Sequence, residues 1–286
     1  MDDPGRSRIS ATIITFNEAD RIGACLASLA FCDEIVVVDS GSTDATRELA
    51  EAAGARVLVR PFDGFRSQKQ FAVEQARHDW ILSLDADEWL DARLSEAIQA
   101  ERGRGFPGVA GYRFSRSSEY FGRFLRHGNA YPDRKLRLFD RRRGGWRGDR
   151  EIHETATVDG VVATLPGDLM HRPFRSFDHH LAKGAQYSQM MAEHAHARGR
   201  RSSLAKLLLA PAWRFFRGYV LRGGFLDGWP GLVYAYVTAW TARQKAVRLW
   251  LLQRGLAQPR PTPPAPTPDA PPPVEPSSQP ALRNRA

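Results

Sequence analysis

The sequence predicts an α/β fold built on a mostly parallel sheet with helices on both faces. Two observations support this prediction. In the first hundred residues, short β-branched apolar runs alternate with amphipathic helical segments, at an interval that requires right-handed crossovers between parallel strands. The runs are also nearly continuous in apolar residues, as strands buried on both faces are. The first half of the chain is therefore expected to form a Rossmann-like sheet of the nucleotide-binding type.

Four strands and three helices follow one another within this half. The strands are predicted at residues 9–15, 35–38, 56–59 and 80–84. The first helix has apolar residues at helical spacing between Ile22 and Leu29. The second helix follows a turn at residues 40–44 and ends at Gly54, a residue suited to the left-handed position after a helix. The third helix is predicted at residues 67–77.

Beyond about residue 105 the pattern changes to separate strand-like segments and then to helices. Strands are expected at residues 109–114 and 135–139. A hairpin is expected at residues 155–164, because Asp159-Gly160 is a pair typical of two-residue turns. Two helical regions are predicted, the first at residues 177–199 and the second from Ser203 onward.

The chain divides into four predicted regions. These are an α/β nucleotide-binding half, a second half of the same domain, a C-terminal helical region and a proline-rich tail, at residues 8–104, 105–175, 176–256 and 257–286. The tail carries more than half of the 19 prolines and almost no large apolar side chains. It cannot bury enough surface to offset its ordering entropy, so we expect it to be disordered.

The formal charge of +9, with arginine favoured over lysine, narrows the range of partners. A basic surface fits phosphorylated substrates or an anionic membrane, and it fits a merely solvated surface equally well. We expect no nucleic-acid partner, because no helix-turn-helix, zinc-finger or aromatic RNA-binding signature is present.

Three features bear on the expected location. Cys25 and Cys32 form no disulfide or metal-binding pattern, and the N-terminus has no apolar run, which together predict a cytoplasmic protein. No segment has the roughly 18 apolar residues needed to cross a bilayer. Residues 204–221 and 229–242 fit either a membrane interface or a pair of core-packed helices, so a peripheral position at the inner face of the plasma membrane stays open.

Polar clusters follow three of the predicted strands at the point where each strand ends. Because ligands of open α/β sheets bind beyond the carboxyl ends of the strands, these clusters should converge on one edge. Their residues are Thr15, Asn17, Glu18, Asp39, Asp85 and Asp87.

Asp85 and Asp87 follow a buried apolar strand, where a bound divalent cation would account for two ionised carboxylates. Mg²⁺ and Mn²⁺ commonly join carboxylates to substrate phosphates. The alternative is a helix start, because Glu88 and Asp91 give the same segment the character of a helix cap.

Four motifs, in the order expected for one enzyme family, favour the metal-site interpretation. The segments ATIITFNE, VVVDSGSTD, a helix with Gln68 and Lys69, and WILSLDADE resemble the N-terminal half of family 2 glycosyltransferases over about residues 8 to 100. The resemblance implies a GT-A fold, a nucleotide-diphospho-sugar donor, a divalent metal ion (Mg²⁺ or Mn²⁺) and inversion at the anomeric carbon. It also assigns residues 8–104 to the donor, and residues 105–175 to the acceptor and the catalytic base.

The resemblance carries roles to individual residues. The expected donor-binding residues are Thr15, Asn17, Glu18, Asp39, Gln68, Lys69 and Asp85. Asp87 matches the acid that coordinates the metal, with Asp85 near both ribose and metal. His171 is a candidate third ligand, because GT-A enzymes often complete the coordination with a late histidine, and its alternative is a structural role.

An inverting transfer needs a general base to take the proton of the acceptor hydroxyl. The Gln-x-x-Arg-Trp motif of many family 2 enzymes is missing, and RKLRLFDRRRGGWRGDREIHE instead resembles the lipopolysaccharide-core glucosyltransferase branch. That match makes Glu154 the candidate base and Asp149 the second candidate. The alternative for Glu154 is an exposed strand residue.

The sequence therefore predicts an inverting glycosyltransferase that moves a sugar, from a UDP-sugar by preference, to a glycan or glycolipid acceptor such as lipopolysaccharide core. Two other hypotheses remain. A nucleotidyltransferase-like enzyme should show a glycine-rich loop after the first strand, and TFNEADR is not one. The second is a non-catalytic scaffold that binds sugar nucleotides or membranes. Only a test of activity distinguishes such a scaffold from the enzyme.

Overall fold

The computed structural model describes residues 6–146 and 155–257. The strands are Ile9–Thr15 (β1), Glu34–Asp39 (β2), Arg56–Val59 (β3), Trp80–Asp85 (β4), Glu88–Leu90 (β5), Gly111–Tyr120 (β6), Arg123–Phe124 (β7), Asp133–Asp140 (β8), Gly144–Gly145 (β9), Thr157–Val158 (β10) and Val162–His171 (β11). The α-helices are Ile22–Ser28 (α1), Thr46–Ala52 (α2), Phe65–Gln75 (α3), Ala92–Gly103 (α4), Phe177–Ala197 (α5), Leu204–Phe216 (α6) and Gly228–Leu252 (α7).

One large sheet runs through the described chain in the order β3-β2-β1-β4-β8-β6-β11-β5, with β7 added beside β6. The first four strands pair in parallel, which confirms the predicted α/β half. From β4 onward the sheet is mixed, because β8 is antiparallel to both β4 and β6, while β11 is parallel to β6. The mixed half thus continues the parallel half without a break in the sheet.

Helices cover both faces of the sheet, as predicted. Ile13 and Ile14 are neighbours on β1 and point to opposite faces because strand side chains alternate. Ile13 packs in the large cluster that α1, α2 and α4 complete. Ile14 packs on the other side, in a cluster that includes Ala72 of α3. β2 and β3 lie on one side of β1, and β4 lies on the other side. With right-handed crossovers, this change of side puts α3 on the face of the sheet opposite to α1 and α2.

The predicted hairpin at residues 155–164 is wrong. β10 pairs antiparallel with β9, whereas β11 lies between β6 and β5 in the main sheet. Gly160 does have a positive φ of 129°, so the chain bends here, but Asp159 lacks the positive φ that a type I′ turn requires. The flanking segments separate because Leu165 and Leu169 of β11 bury themselves in the large cluster, and a local pair with β10 would remove them from it.

The C-terminal region is helical, as predicted. α6 continues into a π-helical turn at Arg217–Leu221, and a 3-10 turn at Gly224–Asp227 leads into α7. α7 packs against both α5 and α6. Within residues 6–146 and 155–257, no helix is both long enough and apolar enough to span a bilayer.

Substitution of Phe114 tests the core that supports the sheet. Its side chain on β6 is fully buried in the large cluster. We expect Phe114→Ala to lower the free energy of unfolding by about 3–5 kcal/mol, because it removes buried apolar surface and leaves a cavity. Phe62→Ala is the matched control, since Phe62 is 46% exposed and its loss should change stability by about 0.5 kcal/mol or less. Urea denaturation of both variants measures the difference, and equal losses would contradict this account of the core.

Candidate active site

The carboxyl ends of β1, β2 and β4 lie side by side at one edge of the sheet. Thr15 is opposite Asp39 in the β1–β2 pair, and Ile14 is opposite Asp85 in the β1–β4 pair. Thr15 and Asp39 are both buried, and the Thr15 hydroxyl has no hydrogen-bond partner among the residues described. The register of three parallel strands therefore brings the predicted polar clusters together.

Asp39 organises the loop that follows β2. Its carboxylate accepts hydrogen bonds from the backbone N–H groups of Gly41, at 3.0 Å, and Ser42, at 2.8 Å, and from the Ser42 hydroxyl. Asn17 joins this loop to the end of β1, because its side-chain oxygen accepts from the Thr43 N–H at 2.8 Å. Asn17 has a φ of 53°, so the chain turns sharply directly after β1.

Gln68 lies beneath the same loop and is fully buried. Its amide nitrogen donates to the Ser40 hydroxyl and to the Arg60 carbonyl, both at 3.1 Å. Its amide oxygen accepts from the Arg60 guanidinium at 2.5 Å. Gln68 therefore supports the loop after β2, and its predicted contact with a donor stays a prediction.

Asp85 is held between two buried cations. Lys69 Nζ lies 2.9 Å from one carboxylate oxygen, and Arg137 Nη2 donates to the other at 3.0 Å. Burial alone would raise the pKa of Asp85, but the charges of Lys69 and Arg137 outweigh it and hold the pKa well below its usual range. Lys69 and Arg137 are thus sufficient to keep Asp85 ionised.

Glu88 completes this charged network, and the sequence interpretation missed it. Its fully buried carboxylate accepts from Arg137 at 2.9 Å and from Arg116 at 3.0 Å. It also accepts from the backbone N–H of Asp85 at 3.1 Å, which fixes the turn after β4. The sequence predicts only helix-cap character for Glu88, and the residue that caps α4 with its side chain is Asp91.

Asp87 and His171 face each other across neighbouring strands. In the antiparallel β5–β11 pair, His171 is opposite Glu88, and the Arg172 N–H donates to the Asp87 carbonyl at 3.0 Å. The His171 Nε2 atom consequently lies 3.4 Å from an Asp87 carboxylate oxygen. The other ring nitrogen, Nδ1, lies 3.1 Å from the Ser118 hydroxyl, which orients the imidazole.

The Asp87–His171 pair fits one half of a divalent metal site. A carboxylate oxygen and an imidazole nitrogen lie 3.4 Å apart, and this donor set suits Mn²⁺ better than Mg²⁺. Burial would raise the pKa of Asp87, yet its hydrogen bond with His171 prevails and lowers it. The predicted set of three ligands is not assembled, because Asp85 is turned to Lys69 and Arg137, and no group of three metal-binding side chains occurs in the described chain.

Glu18 interacts electrostatically with Asp87, and the pKa of its carboxyl group is raised. Its carboxylate accepts from Arg175 at 2.8 Å and lies 3.6 Å from Arg21. Burial raises the pKa of Glu18 to about 7, and the two arginines offset only part of that rise. Glu18 therefore titrates near neutral pH at the edge of the site.

Lys183 of α5 is a further cation that the sequence did not reveal. Its ammonium group donates to the Pro173 carbonyl at 3.0 Å, and its charge lowers the pKa of Asp87. Burial lowers the pKa of Lys183, although Asp87 and Glu18 favour its charged form. The helical region thereby contributes a positive charge to the site on the sheet.

The predicted bases Glu154 and Asp149 lie outside the described residues. The chain leaves the described part at Trp146, whose ring lies 4.7 Å from Lys69 Nζ. It re-enters by Ala156, which packs in the same buried cluster as Trp146.

Ionised carboxylates, buried cations and a carboxylate–imidazole pair at the carboxyl edge of an α/β sheet are typical of an enzyme active site. The family model described as Glycosyl transferase family 2 matches residues 10–158, more than half of the chain. The chain therefore belongs to this family and is a glycosyltransferase with a GT-A fold, which confirms the resemblance seen in its motifs.

Two relatives and one solved structure extend the comparison. The chain is 35% identical to the lipopolysaccharide core biosynthesis glycosyltransferase LpsC of Rhizobium meliloti, covering 81% of this chain and 90% of LpsC. It is 29% identical to an uncharacterized glycosyltransferase of Rickettsia felis, covering 85% and 89%. Glucosyl-3-phosphoglycerate synthase of Mycobacterium tuberculosis, solved with Mn²⁺, UDP and glucosyl-3-phosphoglycerate, is 21% identical, covers 70% of this chain and 82% of its own, and has a TM-score of 0.44.

The raised pKa of Glu18 makes a prediction about stability. The ordinary pKa of 4.5 rises to about 7 on folding, so the folded protein binds more protons than the unfolded chain between these values. The stability contributed by protonated Glu18 is full below pH 4.5 and is lost as the pH rises through about 7. Glu18→Gln should remove this decline. Urea denaturation of wild type and variant across the window tests it, and parallel pH profiles would contradict the assignment.

Proposed function

We propose that the protein transfers a sugar, with inversion, from a UDP-sugar to a lipopolysaccharide-core acceptor. The approach of Asp87 to His171 at the carboxyl edge of the sheet is the observation that most favours a metal-bound diphosphate donor. The acceptor class is supported by the 35% identity to LpsC, a protein named for lipopolysaccharide core biosynthesis, over most of both chains.

The nucleoside of the donor would lie on the loops after β1 and β2. Thr15 offers a buried hydroxyl that has no other partner in the described chain, and Asn17 and Asp39 hold the two loops together. Asp85 faces the same edge, where an ionised carboxylate suits a ribose hydroxyl. Lys69 binds the donor indirectly in this proposal, because its contact with Asp85 fixes that carboxylate.

Asp87 and His171 would hold the divalent cation. When bound, that cation would supply positive charge to offset the charge that develops on the departing nucleoside diphosphate. Ser118 keeps the His171 ring in position, and Lys183 adds positive charge near Asp87. Glu154 takes the proton from the acceptor hydroxyl, with Asp149 as the second candidate for that role.

Loss of the Asp87 carboxylate should abolish transfer. We expect Asp87→Ala to lower kcat/KM at least about a hundredfold, because the leaving group loses its electrostatic stabilisation. The assay follows release of nucleoside diphosphate from a panel of UDP- and GDP-sugars with Mn²⁺ and an acceptor extract. Asp79→Asn is the matched control, since Asp79 lies before β4, at the opposite end of that strand, and pairs with Arg141 and Arg142. The proposal fails if no donor is bound or turned over and Asp87→Ala changes nothing.

Glu154→Gln separates donor binding from chemistry. It should leave the dissociation constant for the donor nearly unchanged and reduce kcat at least about a hundredfold, because the attacking hydroxyl loses its proton acceptor. Calorimetry measures the first quantity and single-turnover transfer the second. Asp149→Asn is run alongside. Normal transfer by Glu154→Gln together with loss in Asp149→Asn would move the base to Asp149.

A further inference from the structure

Helix α6 has no buried residue along its entire length. Its large apolar side chains are instead open to solvent, with Leu208 61% exposed, Leu209 67% and Trp213 57%. At helical spacing, the exposed apolar positions occupy about half of the circumference. α6 packs on α7 with the remaining half, so an apolar face is left uncovered in the part of the chain that the structure describes.

Further exposed apolar residues follow α6 along the chain. The turn that joins α6 to α7 exposes Phe225 and Leu226, and the first turn of α7 exposes Trp229. Phe121, in the turn between β6 and β7, stacks on Trp229 with ring centroids 5.5 Å apart. We call these residues, together with α6, the α6 surface. Groups of exposed large apolar residues mark interaction sites.

The segment that carries most of this surface is basic. Residues 198–226 carry seven arginines and lysines and no aspartate or glutamate. Arg200, Arg201, Lys206, Arg214 and Arg222 are all exposed. Exposed tryptophan, phenylalanine and leucine flanked by arginine are the composition that inserts into the headgroup layer of an anionic bilayer.

Two other occupants match the α6 surface less well. A second copy of the chain would bring the same seven basic residues against their counterparts in a symmetric interface, where like charges repel. Residues 258–286 contain only Val274 and Leu282 as larger aliphatic residues, and three arginines against two acids. Neither a second copy nor residues 258–286 would bring net negative charge to complement the basic residues of this surface.

The α6 surface is fixed to the half of the domain assigned to the acceptor. Asp227, buried at the start of α7, accepts from the backbone N–H of His127 at 2.9 Å and from the His127 ring at 2.9 Å. The loop that contains His127 lies between β7 and β8 in the mixed half of the sheet. A membrane bound at this surface would therefore be held in a set orientation to the catalytic domain.

We infer that the α6 surface docks the protein on an anionic lipid bilayer, with its apolar side chains in the headgroup layer and its arginines on lipid phosphates. Lipid phosphates would contribute roughly fivefold in affinity for each arginine or lysine near the membrane. The inference goes beyond the proposed transfer and does not rest on it, because binding requires neither donor nor acceptor.

Vesicle flotation of the full-length protein tests the inference. The probes are vesicles of phosphatidylcholine alone and vesicles with about one-third phosphatidylglycerol, and the assay contains no sugar donor. The wild type should bind the anionic vesicles and lose binding as salt is raised. The double variant Leu209→Ala/Trp213→Ala should lower the partition coefficient at least about tenfold, because two exposed side chains no longer enter the bilayer.

Two further variants make the test specific. Leu49→Ala/Val161→Ala removes exposed apolar side chains outside the α6 surface, and its partitioning should equal that of wild type. Arg200→Gln/Arg201→Gln should weaken binding to anionic vesicles alone. The inference is overturned if wild type binds neither vesicle, or if the Leu209/Trp213 variant binds as well as wild type. A dimer that dissociates in that variant, without vesicle binding, would overturn it in favour of a second copy.

Discussion

The buried carboxylate of Glu88 is the constraint on which the rest of the site depends. A fully buried ion is costly unless it is paired, and here two guanidinium groups neutralise it. The same carboxylate binds the backbone of Asp85, while Arg137 bridges Glu88 to the Asp85 side chain. Removing one partner would leave uncompensated charge in the interior, so the turn after β4 is held rigidly where donor chemistry is proposed.

That rigid turn also sets the position of the Asp87–His171 pair. Because Glu88 begins β5, and β5 pairs antiparallel with β11, the end of β11 is brought against Asp87. The parallel half of the sheet thus provides the strand ends, and the mixed half provides the imidazole and the two arginines on β6 and β8. The proposed metal site needs both halves of the sheet, since the strand ends alone give no second ligand opposite Asp87.

The parallel half could be predicted because its signals are local. The runs that become β1 and β3 were bounded correctly, and the approach of Thr15, Asp39 and Asp85 follows from parallel strands sharing an edge. The mixed half could not, since β8 and β11 pair with strands that are distant in sequence. An arginine within an apolar strand, as at Arg137 between Leu136 and Leu138, was the available signal for a buried ion pair.

The central claim is that Asp87 and His171 hold the cation that binds the donor diphosphate. Diffraction at the manganese absorption edge, from crystals soaked in UDP and Mn²⁺, tests it most directly. We predict one anomalous peak between the Asp87 carboxylate and the His171 Nε2 atom, with diphosphate oxygens about 2.0–2.3 Å away as in ordinary oxygen coordination. A peak at Asp85, or diphosphate bound without manganese between Asp87 and His171, would contradict the account.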